Sequence, residues 1–337
     1  MKLNINVENA SYEVVLGTNI LRNINEYYDF SKHNKVLIVS DDGVPSKYAE
    51  MVKSQLSNSL IYVFEHGESH KNIETFIKLQ ETLLEYEFTK SDLLIALGGG
   101  VVGDLVGFTA STYKRGIKYI NIPTTTLSQI DSSVGGKTAI DMGNVKNAIG
   151  TIYQPELVLI DFDTLKTLDK YQYSSGLVEA LKAGILKDSK IIDLFADLEA
   201  NYQEIIYRAL VVKKEIVEED VFEQGNRKQL NLGHTIGHPI ELLSNMSHGE
   251  AVGIGMLYVI KDEVLKEKAK KILSSLGLRT TYEYDLEKAL NILVNDKKAN
   301  NKGIQMVFAH KINDIEFVTM KKEDIKVLIE EGNLWVQ

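Results

Sequence analysis

Three of the chain's seven histidines lie in one segment, NLGHTIGHPIELLSNMSHGEAVGIG, at 231–255. His234 and His238 are four residues apart, and His248 follows close to Glu250. Imidazole can bind zinc, transfer protons or hydrogen-bond to phosphate. Because the chain has no cysteine, any metal must be held by His, Asp or Glu. The spacing alone leaves four interpretations open: a metal site, an acid–base site, a phosphate site, or a structural histidine-rich helix.

A candidate carboxylate ligand lies upstream, in YSSGLVEALKAGILKD. Glu179 and Lys182 are three residues apart and therefore share one face of a helix that is otherwise apolar. A carboxylate buried there is costly without a partner. Imidazole and carboxylate suit Zn²⁺, and a catalytic zinc usually has three protein ligands and an open position. Residue chemistry does not decide which three of His234, His238, His248 and Glu179 would bind it.

A glycine-rich turn in the N-terminal half, LIALGGGVVGDLVGF, contains Gly98, Gly100 and Gly103 in the pattern G-x-G-x-x-G. It follows a predicted strand and leads into an apolar helix, whose free N–H groups can bind a pyrophosphate. The next strand, YINIP, ends without the acidic residue that usually holds the adenine ribose, and Asp41 could take that role from another loop. The pattern favours a dinucleotide bound in a variant arrangement.

The elements that must position these groups alternate between strand and helix up to about residue 165. Predicted strands cover 35–39, 59–64, 92–97, 119–122 and 157–161. Such alternation predicts a mostly parallel sheet with helices on both faces. The rest is mainly helical in pattern, with a β-like pair at IQMVFAH and IEFVTM. We predict an α/β fold with a Rossmann-like parallel-sheet domain at 1–170 and a mainly α-helical domain at 171–337.

Composition restricts the class of protein. Apolar content of 44% and charged content of 25% are ordinary for a globular chain of 337 residues, and a net charge of −9 argues against nucleic-acid binding. The apolar runs are too short to span a membrane, and MKLNINVE alternates like a strand, unlike a signal peptide. We expect a cytoplasmic protein with neither a nucleic-acid nor a membrane partner.

Several longer blocks together resemble one family. GGGVVGD, PTTTLSQIDSSVGGKTAID, KNAIG, GLVEALK, LNLGHTIGH and HGEAVGIG are similar, in order and spacing, to the 3-dehydroquinate synthase family over about residues 36–310. The resemblance implies a Rossmann-like NAD-binding domain, a helical metal- and substrate-binding domain, NAD⁺, and one divalent metal, with zinc expected and cobalt possible. It also implies a homodimer.

The same resemblance implies a reaction. The substrate would be 3-deoxy-D-arabino-heptulosonate 7-phosphate, a sugar acid phosphate, converted to 3-dehydroquinate and phosphate in the shikimate pathway. The expected order is oxidation at C5 by NAD⁺, loss of phosphate, re-reduction, ring opening and intramolecular aldol closure. The nicotinamide returns to NAD⁺ in each cycle and so acts as a catalyst.

Carried over by motif, the resemblance assigns the residues. The metal ligands would be Glu179, His234 and His248, and His238 would lie near the substrate phosphate and its proton movements. The NAD⁺ pocket would comprise Asp41, Glu68, Ser69, His70, Lys71, Gly99, Gly100, Val101, Val102, Gly103, Asp104, Thr124, Thr125, Lys137, Lys146, Thr164, Leu165, Lys166 and Thr167. The substrate would contact Arg115, Asp131, Lys137, Asn147, Lys182, Lys213, Arg227, Asn231 and either Lys297 or Lys298, of which we take Lys297.

One position departs from the family, and four rival functions need exclusion. Pro239 stands where alanine is expected, so the helix either kinks there or a second segment begins at Pro239. A zinc protease is disfavoured because Thr235 replaces the catalytic glutamate of H-E-x-x-H. A metal-dependent alcohol dehydrogenase would need fewer cations, and a nucleotide-binding module would not fill every catalytic position. Sugar phosphate cyclases with other substrates are expected to differ at Asn231 and His238.

Overall fold

The computed structural model describes residues 1–8, 10–143, 145–283, 285–295, 299–300 and 303–332. The chain forms two units, Met1–Leu168 and Asp169–Gln337. The strands of the first unit are β1 (Lys2–Val7), β2 (Ala10–Gly17), β3 (Val36–Asp41), β4 (Ser59–Phe64), β5 (Leu93–Gly98), β6 (Lys118–Pro123), β7 (Lys137–Met142), β8 (Val145–Ile152) and β9 (Leu157–Asp161). Its α-helices are α1 (Ser46–Lys53), α2 (Ile73–Glu85) and α3 (Gly100–Thr112).

The main sheet of this unit has seven strands in the order β1-β2-β9-β6-β5-β3-β4. All neighbours pair in parallel except β1 and β2, which are antiparallel. Every residue of β3 is buried, and its side chains alternate between two apolar clusters. Ile38 packs into one cluster and Leu37 and Val39 into the other, so both faces of the sheet are covered. The predicted Rossmann-like fold is therefore confirmed.

The second unit is mainly helical, as predicted. Its α-helices are α4 (Lys170–Leu186), α5 (Ser189–Leu194), α6 (Leu198–Glu219), α7 (His234–Leu243), α8 (His248–Val259), α9 (Glu263–Ser275), α10 (Leu286–Asn295) and α11 (Lys322–Glu331). The antiparallel strands β10 (Ala299–Asn300), β11 (Gly303–Lys311) and β12 (Asp314–Met320) form a small sheet. The predicted β-like pair corresponds to β11 and β12.

Helix α4 lies in the interior of the second unit. The Asp169 carboxylate caps it by accepting hydrogen bonds from the N–H groups of Tyr171 at 2.8 Å and Gln172 at 3.2 Å. Every residue from Ser174 to Leu186 is buried, because α5, α6 and α8 pack around the helix. Any charged residue in this stretch is consequently withdrawn from water.

Helix α7 runs through Pro239 without interruption. The alternative that a second segment begins at Pro239 is wrong. Because proline has no N–H, the carbonyl of Thr235 cannot receive the usual helical bond from residue 239. His248 begins a separate helix, so the histidine-rich segment 231–255 comprises two helices and not one.

Two glycines allow α8 to approach its neighbours at backbone distance. A Cβ atom at Gly249 would overlap the carbonyl oxygen of Ser175 in α4, and one at Gly255 would overlap the carbonyl oxygen of Gly233. Ser175 lies one helical turn before Glu179. The contact at Gly249 therefore brings the start of α8, with His248, next to the part of α4 that carries Glu179.

Substituting Gly249 by alanine should destabilise the protein by about 1–3 kcal/mol through overpacking against a backbone that cannot rotate away. We expect a lower melting temperature and weaker zinc binding, measured by calorimetry and chelator competition. Gly253→Ala on the same helix is the matched control, since the nearest atom there is a movable methyl group of Leu273 at 2.8 Å. Equal melting of the two variants would contradict the role of Gly249.

Candidate functional site

Glu179, His234 and His248 converge on one point in the second unit. One ligand atom from each lies within 4.8 Å of the others, and these are the residues among those described that form such a group. The Nε2 atom of His234 lies 3.8 Å from Glu179 Oε1, and that of His248 lies 3.9 Å from the same oxygen. Helices α4, α7 and α8 supply one group each, so the trio exists only in the packed fold.

The two histidines are held in the orientation that a metal requires. Nδ1 of His248 lies 2.9 Å from Glu241 Oε2, and Nδ1 of His234 lies 3.3 Å from the carbonyl oxygen of Leu232. Donation from Nδ1 leaves the Nε2 lone pair free toward Glu179. Burial opposes protonation of His248, but the bond to Glu241 and the charge of Glu179 outweigh it and raise its pKa.

Glu179 provides a test of whether a cation fits this position. Its side chain is 2% exposed, and the ammonium of Lys182 contacts Oε2. Within the described residues, Oε1 accepts no hydrogen bond, whereas Oε2 is ion-paired with Lys182. A buried carboxylate oxygen without a hydrogen-bond donor is rare in folded proteins. With two imidazoles facing it, the donor set fits a divalent metal such as zinc.

Among the described residues, three cations are buried in the same unit. Lys182 is 3% exposed, Lys213 8% and Arg227 1%. They lie on α4, on α6 and in the turn Asn226–Asn231, which pack against one another. Lys182 pairs with the Glu179 carboxylate, and the positive charge of the three side chains on adjoining elements suits an anionic ligand.

The loop that carries Arg227 and Asn231 is fixed by acidic residues. The Asp220 carboxylate accepts hydrogen bonds from the N–H groups of Gln224, Gly225 and Arg227, which hold its pKa below the ordinary value although burial opposes this. The guanidinium of Arg227 donates to the carbonyl of Val221 at 2.5 Å, and the Asn231 amide donates to Glu223 at 2.7 Å. His238 lies one turn beyond His234 on α7 and is partly buried.

In the first unit, the glycine turn lies where the strand connections change direction. From β3 the chain continues through α1 to β4 on one side, and from β5 through α3 to β6 on the other. Open α/β sheets bind ligands at the carboxyl ends of two such strands. Helix α3 begins at Gly100 with Gly99 as its N-cap, directly after β5. Its first N–H groups are placed as phosphate binding requires.

Asp41 is at the end of β3, on the other side of this point. It is 9% exposed, and its Oδ1 accepts hydrogen bonds from the N–H groups of Gly43 at 3.0 Å and Val44 at 3.2 Å. Burial raises its pKa despite these bonds. The Asp41 carboxylate therefore fixes the backbone of the loop that follows β3, beside the glycine turn.

A buried lysine links several of the residues predicted for the two ligands. Nζ of Lys71, which is 4% exposed, lies 2.8 Å from Glu68, 3.3 Å from Asp104 and 3.9 Å from Asp141, and it donates to Asn147 at 2.8 Å. Burial lowers the pKa of Lys71, but the charges of Asp104 and Glu68 outweigh it and the net pKa is raised. Asn147, predicted to contact substrate, thus meets residues predicted to contact NAD⁺.

Within this cluster, the pKa of Asp104 is shifted the most. Burial raises its pKa from an ordinary 3.8 to about 6, against the lowering by Lys71. Between pH 3.8 and about 6, Asp104 therefore keeps its proton in the folded state, whereas the unfolded chain has released it. The stability that this group contributes at low pH is lost as the pH rises through about 6.

Asp104→Asn should raise the free energy of unfolding of the NAD-free protein at pH 7.5 by about 1–3 kcal/mol, because the amide resembles the protonated acid. The gain should vanish near pH 4, as measured by urea denaturation at both pH values. Asp42→Asn is the control of opposite sign, since hydrogen bonds from His66 lower the pKa of Asp42. A pH-independent effect of Asp104→Asn would contradict the prediction.

The other predicted residues occupy several positions in the first unit. Glu68, Ser69 and His70 form a short 3-10 turn before Lys71. Thr164 to Thr167 lie in the 3-10 turn Phe162–Thr167, where Gln129 donates to the Thr164 hydroxyl at 3.0 Å. The Thr124 N–H donates to the Gly98 carbonyl at 2.9 Å, and the hydroxyls of Thr125 and Ser128 are 2.8 Å apart. Asp131 lies in the turn Ser128–Ser132, Lys137 begins β7, and Lys146 lies in β8.

One predicted substrate contact stands apart from these, and another cannot be placed. Arg115 is exposed, with a left-handed φ of 67°, in the turn after α3. It therefore lies roughly 20 Å, the length of this helix, from the glycine turn at the other end. Lys297 and Lys298 lie outside the described residues.

Sequence reasoning missed Glu241 and Asp141. Glu241 follows His234 by seven residues, a spacing that places both on one face of a helix, and this was the available signal. Asp141 lies on β7, which was not among the predicted strands, so no strand pairing pointed toward Lys71. Among the described residues, no helix is long and apolar enough to cross a membrane.

Comparison with known proteins identifies the family. Residues 61–175 match the family described as 3-dehydroquinate synthase N-terminal, and residues 176–299 match the one described as 3-dehydroquinate synthase C-terminal. The 3-dehydroquinate synthase of Streptococcus mutans serotype c is 37% identical, over 98% of this chain and 100% of its own length. The chain belongs to the 3-dehydroquinate synthase family.

Two solved structures of sugar phosphate cyclases also resemble it. A 2-deoxy-scyllo-inosose synthase complexed with carbaglucose-6-phosphate, NAD⁺ and Co²⁺ is 25% identical, covers 98% of this chain and 100% of its own, and has a TM-score of 0.89. The 2-epi-5-epi-valiolone synthase from Streptomyces hygroscopicus subsp. jinggangensis, with NAD⁺ and Zn²⁺ bound, is 26% identical, covers 97% and 98%, and has a TM-score of 0.86. The resemblance noted in the sequence, together with its fold, is thus confirmed.

Proposed function

We infer that this chain is a 3-dehydroquinate synthase, which converts 3-deoxy-D-arabino-heptulosonate 7-phosphate to 3-dehydroquinate and phosphate. The observation that carries this inference is the Glu179–His234–His248 trio in a unit with three buried cations, in a chain that belongs to this family. A dehydrogenase acting on a neutral alcohol would not require those cations.

We propose the first unit as the NAD⁺-binding domain and the second as the metal- and substrate-binding domain. NAD⁺ bound there would supply a reversible hydride acceptor for C5 of the substrate, and a ketone at C5 acidifies the neighbouring proton at C6, which loss of phosphate requires. Glu179, His234 and His248 would hold a divalent metal, zinc or cobalt as in the relatives, which would supply Lewis acidity toward the substrate hydroxyls.

The residues of the chain bind and orient the substrate. Lys182, Lys213 and Arg227 provide the fixed positive charge that the carboxylate and phosphate require in a protein of net charge −9. The amide of Asn231 and the imidazole of His238 add hydrogen bonds to the phosphate. Holding one flexible molecule in the reactive conformation lowers the entropic cost of elimination and ring closure.

The substrate separates this proposal from related cyclases. We expect an acidic heptulosonate because Asn231 and His238 both match the family motif. The experiment supplies purified protein with NAD⁺, Zn²⁺ and the heptulosonate phosphate, and follows phosphate release together with NADH absorbance. Phosphate release without net NADH supports the synthase, and abolition by a chelator supports the metal. Stoichiometric NADH accumulation would indicate a dehydrogenase instead.

We further propose that the protein is a cytoplasmic homodimer. The exposed apolar side chains Met142, Val145 and Ile152 on the hairpin β7–β8 support an association surface, since such side chains are costly in water. Sedimentation equilibrium should give the mass of two chains. The mass of one chain at micromolar concentration would contradict the dimer.

A further inference from the structure

Glu241 is a largely buried carboxylate, with a side chain 14% exposed, whose role lies outside the metal trio. It lies on α7, seven residues after His234, so both side chains project from one face of that helix. Its Oε2 lies 2.9 Å from Nδ1 of His248, on the ring nitrogen that does not face Glu179. The carboxylate is therefore placed behind a metal ligand and is not itself a ligand.

We propose that Glu241 is a positioning residue for the metal centre, which fixes the orientation of His248 and strengthens it as a ligand. The proposal rests on the assignment of Glu179, His234 and His248 as the metal site. A carboxylate that accepts the Nδ1 proton keeps the Nε2 lone pair toward the metal and increases its electron density.

The two histidines differ in this respect. Nδ1 of His234 faces the neutral carbonyl oxygen of Leu232 at 3.3 Å, whereas Nδ1 of His248 faces a charged oxygen at the shorter distance. His248 is also the more exposed of the two, at 36% against 21%. Each histidine is the first residue of its helix, so the greater exposure of His248 is the difference that calls for the stronger restraint.

A second network restrains the backbone at the same point. The Tyr171 hydroxyl accepts a hydrogen bond from the N–H of Ser247, the residue before His248, at 2.9 Å, and donates to Glu250 at 2.5 Å. Arg279 pairs with Glu250 at 2.9 Å. These contacts fix the start of α8, while Glu241 fixes the rotation of the imidazole ring itself. The two functions can therefore be separated by mutation.

The test measures metal binding directly. Zinc affinity is determined by competition with a chromophoric chelator, and the visible absorption spectrum of the Co²⁺-loaded protein reports ligand geometry. Glu241→Ala should weaken zinc binding about 10- to 100-fold, the usual effect of losing such a partner. Glu241→Gln keeps an acceptor oxygen and should recover part of that loss. The Co²⁺ spectrum should change in the alanine variant.

Matched variants separate the possible outcomes. Glu263→Ala removes an exposed glutamate of α9 that pairs with Lys266, and should leave affinity and spectrum unchanged. A purely structural Glu241 would lower the melting temperature of its alanine variant while zinc affinity and the Co²⁺ spectrum stay as in the wild type, which would overturn the proposal. If Glu241→Ala does not fold, wild-type affinity and spectrum in Glu241→Gln would overturn it equally.

His234→Ala distinguishes failure of this proposal from failure of the metal assignment. If His234→Ala loses zinc and Glu241→Ala does not, only the positioning role is wrong. If neither variant changes zinc affinity, the metal lies elsewhere and the proposed function loses its principal support.

Discussion

Replacing His234 with alanine should abolish stoichiometric zinc binding and lower the rate of phosphate release by about 10³-fold or more. Lewis acidity at a reacting oxygen contributes several kcal/mol to a transition state, and each 1.4 kcal/mol is worth about a factor of ten in rate. Of the three ligand residues found in the described part of the chain, the variant retains Glu179 and His248, and two ligands rarely hold a catalytic zinc.

The measurement pairs metal content, determined by atomic emission, with a continuous phosphate-release assay. His310→Ala is the matched control, because His310 lies on β11 of the same unit, is 46% exposed and pairs with Glu316 on β12. It should keep wild-type zinc content and rate. Full zinc content together with full turnover in His234→Ala would show that the metal is held by other groups.

The fold was largely predictable because its strongest signals are local. The strands β3, β5 and β9 are continuous apolar runs bounded by turn residues, and such runs reflect burial on both faces of a parallel sheet. The hairpin β7–β8 was not recognised, because its strands mix exposed and buried residues and contain two lysines. Its pairing depends on packing against α3, which no local pattern records.

The metal site was likewise predictable only in part. The motifs pointed to His234 and His248 through family resemblance, but residue chemistry could not choose among the histidines. Their separation follows from packing: α8 meets α4 at Gly249, which brings His248, and not His238, to Glu179. Glu241 remained hidden because the sequence does not reveal which face of α7 lies against α8. The continuity of α7 through Pro239 was likewise a matter of tertiary context.

Replacing the buried cation Lys213 should lower catalytic efficiency strongly, whereas replacing its partly exposed neighbour Lys214 should not. Lys213 is 8% exposed on α6, whereas the Lys214 side chain is 27% exposed and pairs with Glu218 at 2.9 Å. Lys213→Met removes the charge while keeping a side chain of similar length. If the ammonium binds a substrate anion, its loss should cost about 3 kcal/mol, which corresponds to roughly a 100-fold decrease in kcat/KM.

Lys214→Met is the control, because a partly exposed ion pair contributes little to stability and contacts no predicted ligand. Both variants are assayed by phosphate release over a range of heptulosonate phosphate concentrations, with melting temperatures to verify folding. Inorganic phosphate should inhibit the wild type and Lys214→Met more strongly than Lys213→Met, since the product anion would bind the same cations. Equal kcat/KM and equal inhibition in the two folded variants would mean that the buried charge of Lys213 serves the fold alone, and the substrate anion must then be bound by Lys182 and Arg227 without it.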